Sequence, residues 1–393
     1  MYSTFAIINI ILASHSFVAA VLLFLRRNNQ AASRYLSLIN FLTGILFFIA
    51  YLTLDRYYSS PVFLVCLGIV LVYYLTPLCY LYTFRLSRTE TKNDGYHFIP
   101  AFMVTFYVSI RWVSGLRQPT IPIEELFNLR YIPFDLYLLL QAGILMLTLY
   151  LLLMLLIIRT YNRGLESRYS SIEKRNLRWL QTHLAVGVCG GFIFFTTNIF
   201  QYFFAASFDF LFDRVEYAGQ LFSVVFLLSI VYFTFLQPDI EGSPGMPIKA
   251  GSHSSEPSYT RQRLGEEKER EYVKHLLSFM ETEKPYLDPE LTIQDLAAKL
   301  GIPSAHLTMV LNIHIKKTFY QFINSYRVAY AGELLNDTRM EQENILNVAL
   351  EAGFNSKSSF NTYFKKLKNM TPREYRRRAA EQAAENHTRE PDE

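Results

Sequence analysis

Seven long apolar runs precede Pro238, and they restrict the first part of this chain more than any other feature. They run approximately from Ser3 to Leu25, Leu36 to Leu54, Val62 to Phe84, Tyr96 to Trp112, Phe134 to Ile158, His183 to Ala206 and Glu216 to Leu236. Each is close to the length that a hydrocarbon core of about 30 Å demands of a helix, the fourth being the shortest. The composition agrees, since 51% hydrophobic residues and a mean hydropathy of +0.14 exceed what a soluble chain usually carries. The excess lies almost wholly before Pro238 and the charges gather after it, so a net charge of +4 conceals two chemically different parts. Cys66, Cys79 and Cys189 all sit inside apolar runs without metal-ligand spacing, which argues against a disulfide framework or a zinc site.

Charge on the connections gives an orientation, because Lys and Arg are retained on the cytoplasmic side. The odd-numbered connections carry Arg26, Arg27 and Arg34, then Arg85, Arg88 and Lys92, then Arg159, Arg163, Arg168, Lys174, Arg175 and Arg178, twelve in all. The even-numbered ones carry five: Arg56, Arg111, Arg117, Arg130 and Arg214. The N-terminus is therefore expected outside and, after an odd number of spans, the C-terminal part in the cytoplasm. MYSTFAIINI lacks the charged start and cleavage site of a secretory signal, so the first run is expected to stay as a span.

Polar groups inside the runs are the candidates for a sensing site, since an ionisable group in hydrocarbon is costly. They are His15, Asn40, Gln141, Asn198 and Gln201, with Asp135 and His183 near span ends. The plainer reading of each is an interhelical hydrogen bond or an interface anchor. Gly187 and Gly191 suggest close helix packing, and Pro77 a kink in the third span. The connection from Arg111 to Pro133 reads equally well as a cap over a ligand and as an ordinary loop.

After residue 236 the pattern changes. Residues 237–265 are rich in Pro, Gly, Ser and charge and read as a flexible linker. Residues 266–283 regain a helical period through Tyr272, Leu276, Leu277 and Phe279, fitting either a lever or dimer contact or a helix packed on the C-terminal domain. Near the end, Ile345, Val348 and Ala349 form one apolar face that stops at Gly353, a residue free to take positive φ. Asn355 or Ser356 can cap the next helix, whose buried stripe is expected to be Phe360, Phe364 and Leu367. The opposite face then offers Lys357, Ser358, Asn361, Thr362 and Lys365. Pro372 restarts the chain for a last helix with Arg373, Arg376, Arg377 and Arg378. Two short helices joined by a Gly-containing turn, the second basic outside, read as helix-turn-helix. From Lys357 to Arg378 there are eight Lys or Arg against one acidic residue, Glu374, the balance of a phosphate-facing surface.

AGFNSKSSFNTYFKK followed by MTPREYR resembles the second helix-turn-helix of AraC/XylS-type transcription regulators. That resemblance implies a second copy upstream, and LTIQDLAAKLGIPSAHLTMVLN, residues 291–312, fits it with a first helix Ile293 to Leu300, a turn at Gly301 and a second helix from Pro303 or Ser304. FYQFINSYRVAYAGELL, residues 319–335, matches the family's long connecting helix. By position, the groove-facing residues the resemblance implies are Lys357, Ser358, Asn361 and Thr362 downstream and Ala305, Thr308 and Met309 upstream, flanked by Ser304 and His306. Lys365, Lys316 and Lys317 would meet the DNA backbone. The glycine that relatives carry before the connecting helix is missing, since the chain reads IHIKKTF.

No HExxH, P-loop, GxSxG or GxGxxG pattern occurs, so the expectation is a non-enzyme without cofactor or metal. The fold expected is all-α: a seven-helix transmembrane bundle over 1–236, the linker 237–265, a connecting helix 266–283, a cytoplasmic AraC-like domain over 284–378 with two helix-turn-helix units joined by a long helix, and a disordered acidic tail 379–393. The function expected is a one-component transcription regulator of a bacterial inner membrane, sensing a signal through its spans. Its partners would be double-stranded DNA, membrane lipid and a signal ligand or membrane partner of unknown identity, with a homodimer kept open. The reading from another class is a seven-helix receptor or transporter whose C-terminal helices bind a protein partner.

Overall fold

The computed structural model describes residues 2–25, 30–54, 61–87, 95–113, 133–173, 175–203, 265–340 and 342–387. They are helical, with no strand among the described residues beyond one isolated antiparallel bridge between Tyr169 and Thr292. They divide into two compact units, one within Met1–Tyr161 and Leu177–Ile248, the other within Asn162–Asn176 and Lys249–Glu393.

The first unit holds α1 (Tyr2–Leu25), α2 (Gln30–Leu54), α3 (Pro61–Ser87), α4 (Ile99–Val113), most of α5 (Phe134–Glu166) and α6 (Arg178–Phe203). Among the described residues, five of these helices, all but α4, are long and apolar enough to cross a membrane. The fourth expected span is present as a helix of 15 residues. At 1.5 Å per residue it reaches only about 22 Å, so by itself, without the 3-10 turn Gly95–Phe98 before it, it falls short of a hydrocarbon core. The seventh expected span, and the linker apart from Gly265, lie outside the described residues. Where seven spans were expected over residues 1–236, five candidate spans are found among the described residues.

Of the polar residues singled out in this unit, Asn40, Asn198 and His183 are satisfied within their own helices, and the buried Gln141 amide has no hydrogen-bond partner among the described residues. Asn40 Nδ2 donates to the Leu36 carbonyl at 2.8 Å and Asn198 Nδ2 to the Phe194 carbonyl at 2.7 Å. Asp135 instead bridges α4 and α5, accepting from Arg111 Nε at 2.6 Å and from the Tyr107 hydroxyl at 2.8 Å. Gly191 does mark a close approach, since a Cβ there would lie 2.5 Å from Thr148 Oγ1 on α5. Helix α3 continues through Pro77.

The second unit contains α7 (Glu266–Thr282), α8 (Ile293–Leu300), α9 (Ser304–Val310), α10 (Phe319–Asn336), α11 (Ile345–Glu351), α12 (Lys357–Lys368) and α13 (Pro372–His387). Helix α10 serves two cores at once. Its first half gives Phe319, Phe322 and Ile323 to a cluster with Leu276, Met280, Leu296, Leu307 and Val310. Its second half gives Val328, Ala331 and Leu335 to a cluster with Val348, Ala349, Phe360 and Phe364. Since Leu276 and Met280 of α7 are fully buried in the first cluster, residues 266–283 are a helix packed on the domain rather than a free lever. Helix α13 runs on to His387, so residues 379–387 are helical where a disordered tail was expected.

Candidate nucleic-acid interface

Local chemistry fixes each reading helix. Thr292 and Asp295 form a reciprocal capping box that starts α8, and Gly301 ends it at φ 67. Helix α9 then leaves at 101° to α8, a helix-turn-helix crossing. In the downstream unit Gly353 makes the turn at φ 85, and of the two cap candidates it is Ser356 that accepts from the Ser359 amide. Phe354, Phe360, Phe364 and Tyr375 stack in series with centroids 5.2, 5.3 and 5.3 Å apart. That ladder accounts for the Gly-Phe turn, the Phe-x-x-x-Phe spacing and the Tyr of the Thr-Pro-x-x-Tyr ending. Thr371 and Glu374 cap α13 reciprocally. Leu367, expected in the buried stripe, is 44% exposed, because the ladder passes from Phe364 to Tyr375 and needs no third residue from α12.

The ladder turns the other face of α12 outward. Lys357, Ser358, Asn361, Thr362 and Lys365 are all exposed on it. The Thr362 hydroxyl donates to the Ser358 carbonyl at 2.9 Å, which leaves its lone pairs free as acceptors. Upstream, Ala305 is exposed while Ser304, Thr308 and Met309 are half-buried. Thr308 is tied back to the Ser304 carbonyl at 2.8 Å. His306 stacks on Tyr272 with centroids 6.2 Å apart.

Helix α9 passes into a π turn, Leu311–Ile315, and Lys316 then takes φ 55. The left-handed position that a glycine would fill without strain is thus occupied by a lysine. Lys316→Gly is expected to stabilise the domain by about 1 kcal/mol, read as slower hydrogen exchange in α9 and α10. Lys317 is exposed and its Nζ donates to Ser325 Oγ at 3.2 Å. Of the four arginines of α13, Arg376 is drawn inward, donating from Nη1 to the Glu343 carbonyl at 2.7 Å.

Three features of this unit carry no local sequence signal. Arg327 on α10 is 1% exposed, yet no carboxylate touches it. Its Nε donates to the Tyr286 carbonyl at 2.7 Å and Nη2 to the Asp288 carbonyl at 2.7 Å. The Ser170 carbonyl and hydroxyl, each at 3.1 Å, and Asn324 Oδ1 at 3.5 Å take the remaining donors. Burial pulls the guanidinium down to about 10, although Glu173, Asp288 and Glu290 nearby work against it, so it stays charged at neutral pH. The second feature is Glu173. Burial pushes its carboxyl up, but hydrogen bonds from Ser171, Ser359, its own amide and Tyr320 outweigh burial and hold it below the usual range. The third is Asn355, whose Nδ2 reaches Ser171 Oγ at 2.9 Å and Glu290 Oε1 at 2.8 Å. A search at cap or periodic positions finds Asn355 but has no means of finding its partners.

Residues 296–378 match the family model described as a helix-turn-helix domain. The C-terminal unit contains an AraC-type helix-turn-helix domain. The chain is 32% identical over 106 residues to the melibiose operon regulatory protein of Escherichia coli (strain K12), covering 27% of this chain and 33% of that one. It is 31% identical over 87 residues to an uncharacterized HTH-type transcriptional regulator of Staphylococcus aureus (strain COL), 22% of this chain and 11% of that one. The chain thus spans about a third of the length of the first of these relatives. No solved structure matches the chain.

Proposed function

We propose that the chain is a membrane-embedded one-component transcription regulator. The apolar unit senses a signal, and the AraC-type domain binds a promoter through α9 and α12. The observation that carries the DNA-binding reading is the outward face of α12, where two lysines, an amide and two hydroxyls stand exposed on a helix whose other face is locked into the aromatic ladder. Amides and hydroxyls at that spacing suit base edges, and flanking lysines suit phosphates. Five candidate spans and the bias of basic connections support a bacterial inner-membrane protein with this domain in the cytoplasm. A bundle of seven spans with the N-terminus outside is part of the same proposal, as are lipid, a signal ligand and a homodimer as partners.

The two heads are proposed to divide the work. The downstream head reads sequence through Lys357, Ser358, Asn361 and Thr362. The upstream head, with Ala305 and Met309 beside a tied-back Thr308, contributes backbone and shape contacts through Ser304, Lys316 and Lys317. Asn361→Ala in the full chain is expected to cost about 1–3 kcal/mol of binding and relax base preference, while Met309→Ala costs less. Lys365→Ala is expected to weaken all sequences alike and lower the salt slope by about one. The measurement is an anisotropy titration against salt on a selected duplex. A binding constant flat in salt would favour a protein partner for the C-terminal helices. Loss of discrimination by Met309→Ala alone would reverse the two heads.

A further inference from the structure

The basic connection between α5 and α6 falls in the same compact unit as the AraC-type domain, and it touches the domain at the start of α8, on α10 and at the start of α12. It pairs by backbone with the start of α8, where the Ile293 amide donates to the Arg168 carbonyl at 2.9 Å and the Ser170 amide to the Leu291 carbonyl at 3.1 Å. It meets the connecting helix through Ser170 on Arg327 and through the Tyr320 hydroxyl, which donates to Glu173 Oε1 at 3.1 Å. It meets the start of α12 where Ser359 Oγ donates to the same Glu173 oxygen, and Asn355 to Ser171. Arg175 closes the far side, donating to Glu290 at 3.1 Å while lying over the Tyr169 ring at 4.7 Å. Ser170, Ser171 and Ile172 are buried in the process.

We propose that residues 168–173 together with Arg175 are an intramolecular clamp, the partner for which this polar face of the AraC-type domain is built, and that the docked clamp fixes the orientation of one reading head relative to the other. The proposal rests on the DNA-binding reading of the domain. Three arguments favour it. The partners are complementary donor for acceptor, and they include two of the five bonds of a buried guanidinium, so the face is not finished without the loop. The reading side chains of α12 stay exposed with the loop in place, so it does not mask the DNA surface. The contacts reach α8, α10 and α12 together, and two heads that must enter successive major-groove segments need one fixed separation and angle. In sequence the clamp is bounded on both sides by candidate spans, so a change in how the ends of α5 and α6 are held acts directly on it. This gives the sensing unit a route to the DNA-reading geometry by chain connectivity.

The test uses the full chain in nanodiscs and a duplex that the wild-type chain selects from a random-sequence pool, together with a shortened duplex carrying only the segment read by the downstream head. Combined Ser171→Ala and Glu173→Ala are expected to weaken the full duplex about tenfold or more and leave the shortened one within about twofold, because only bipartite binding depends on the effective concentration of the second head. Arg175→Ala, which breaks the ion pair with Glu290 and the longer bond to the Ser171 carbonyl but leaves Ser170 and Glu173 with their partners, is a milder probe expected to shift the same ratio in the same direction. Hydrogen exchange on the double variant should show lost protection in residues 168–173, at Arg175 and in the first turn of α12, with α10 unchanged. Equal loss on both duplexes, no loss on either, or tighter binding to the full duplex overturns the clamp. A wild-type chain that selects no duplex sinks the DNA-binding reading, and the clamp with it, and that result is distinct from the others.

Discussion

Arg327→Ala is expected to destabilise the AraC-type domain by about 3–5 kcal/mol, a large share of what holds a domain folded. The side chain is among the largest fully buried in the described residues, and its donors are all spent on neutral oxygens. Removing it strands the Tyr286 carbonyl, leaves the Asp288 and Ser170 carbonyls with only the longer bonds from the Leu291 amide and Asn324 Nδ2, each at 3.3 Å, and opens a cavity beside Phe354, over whose ring the guanidinium lies at 5.8 Å. Arg327→Lys is expected to recover only part of the loss. An ammonium is a point donor, and no single position lets it reach Tyr286, Asp288 and Ser170 as the planar fork does. Hydrogen exchange of α8 through α12 in nanodiscs measures both variants. Protection unchanged in Arg327→Ala would mean that the guanidinium is bystander rather than keystone.

That arginine also shows where reading by sequence stops. Its position on α10 is plain from the helical period, but its burial depends on Ser170, 157 residues earlier, and no periodicity joins them. The helices themselves were legible because their causes are local. Thr292 with Asp295, Gly301, Ser356, Thr371 with Glu374 and the Phe-x-x-x-Phe stripe each act within a turn or two. The clamp was not, because its loop reads as a basic connection whose Arg168 and Arg175 simply count toward topology. A domain start drawn at residue 284, or at 266, therefore leaves out residues that complete the domain. Helix α4 failed in a different way, since its apolar run is long enough only when Tyr96 to Phe98, a separate 3-10 turn, is added to it.

The two turn glycines look equivalent in sequence, and they are expected to respond very differently. Gly301, at φ 67, has nothing within 4 Å of where a Cβ would stand. Gly301→Ala should therefore cost only the left-handed strain of an L residue, about 1 kcal/mol, and loosen α8 and α9 alone. Gly353, at φ 85, would bring its Cβ to 2.5 Å from the Tyr286 carbonyl oxygen and 3.0 Å from Leu287 Cα and its carbonyl oxygen. Those are backbone atoms, so no side chain can swing aside. Gly353→Ala is expected to cost about 2–5 kcal/mol, the strain of the turn plus the displacement of a packed segment. The damage should also spread, because the Tyr286 carbonyl is the oxygen that holds Arg327 Nε at 2.7 Å and the Tyr286 ring stacks on Tyr326 at 5.6 Å. A push at the downstream turn thus reaches the upstream core through one peptide group. Hydrogen exchange of the two variants side by side should show lost protection on both sides of α10 for Gly353→Ala and on one side for Gly301→Ala. Equal, local losses in the two would mean that the downstream turn has room to move away from Tyr286, and that the two cores are joined only through α10.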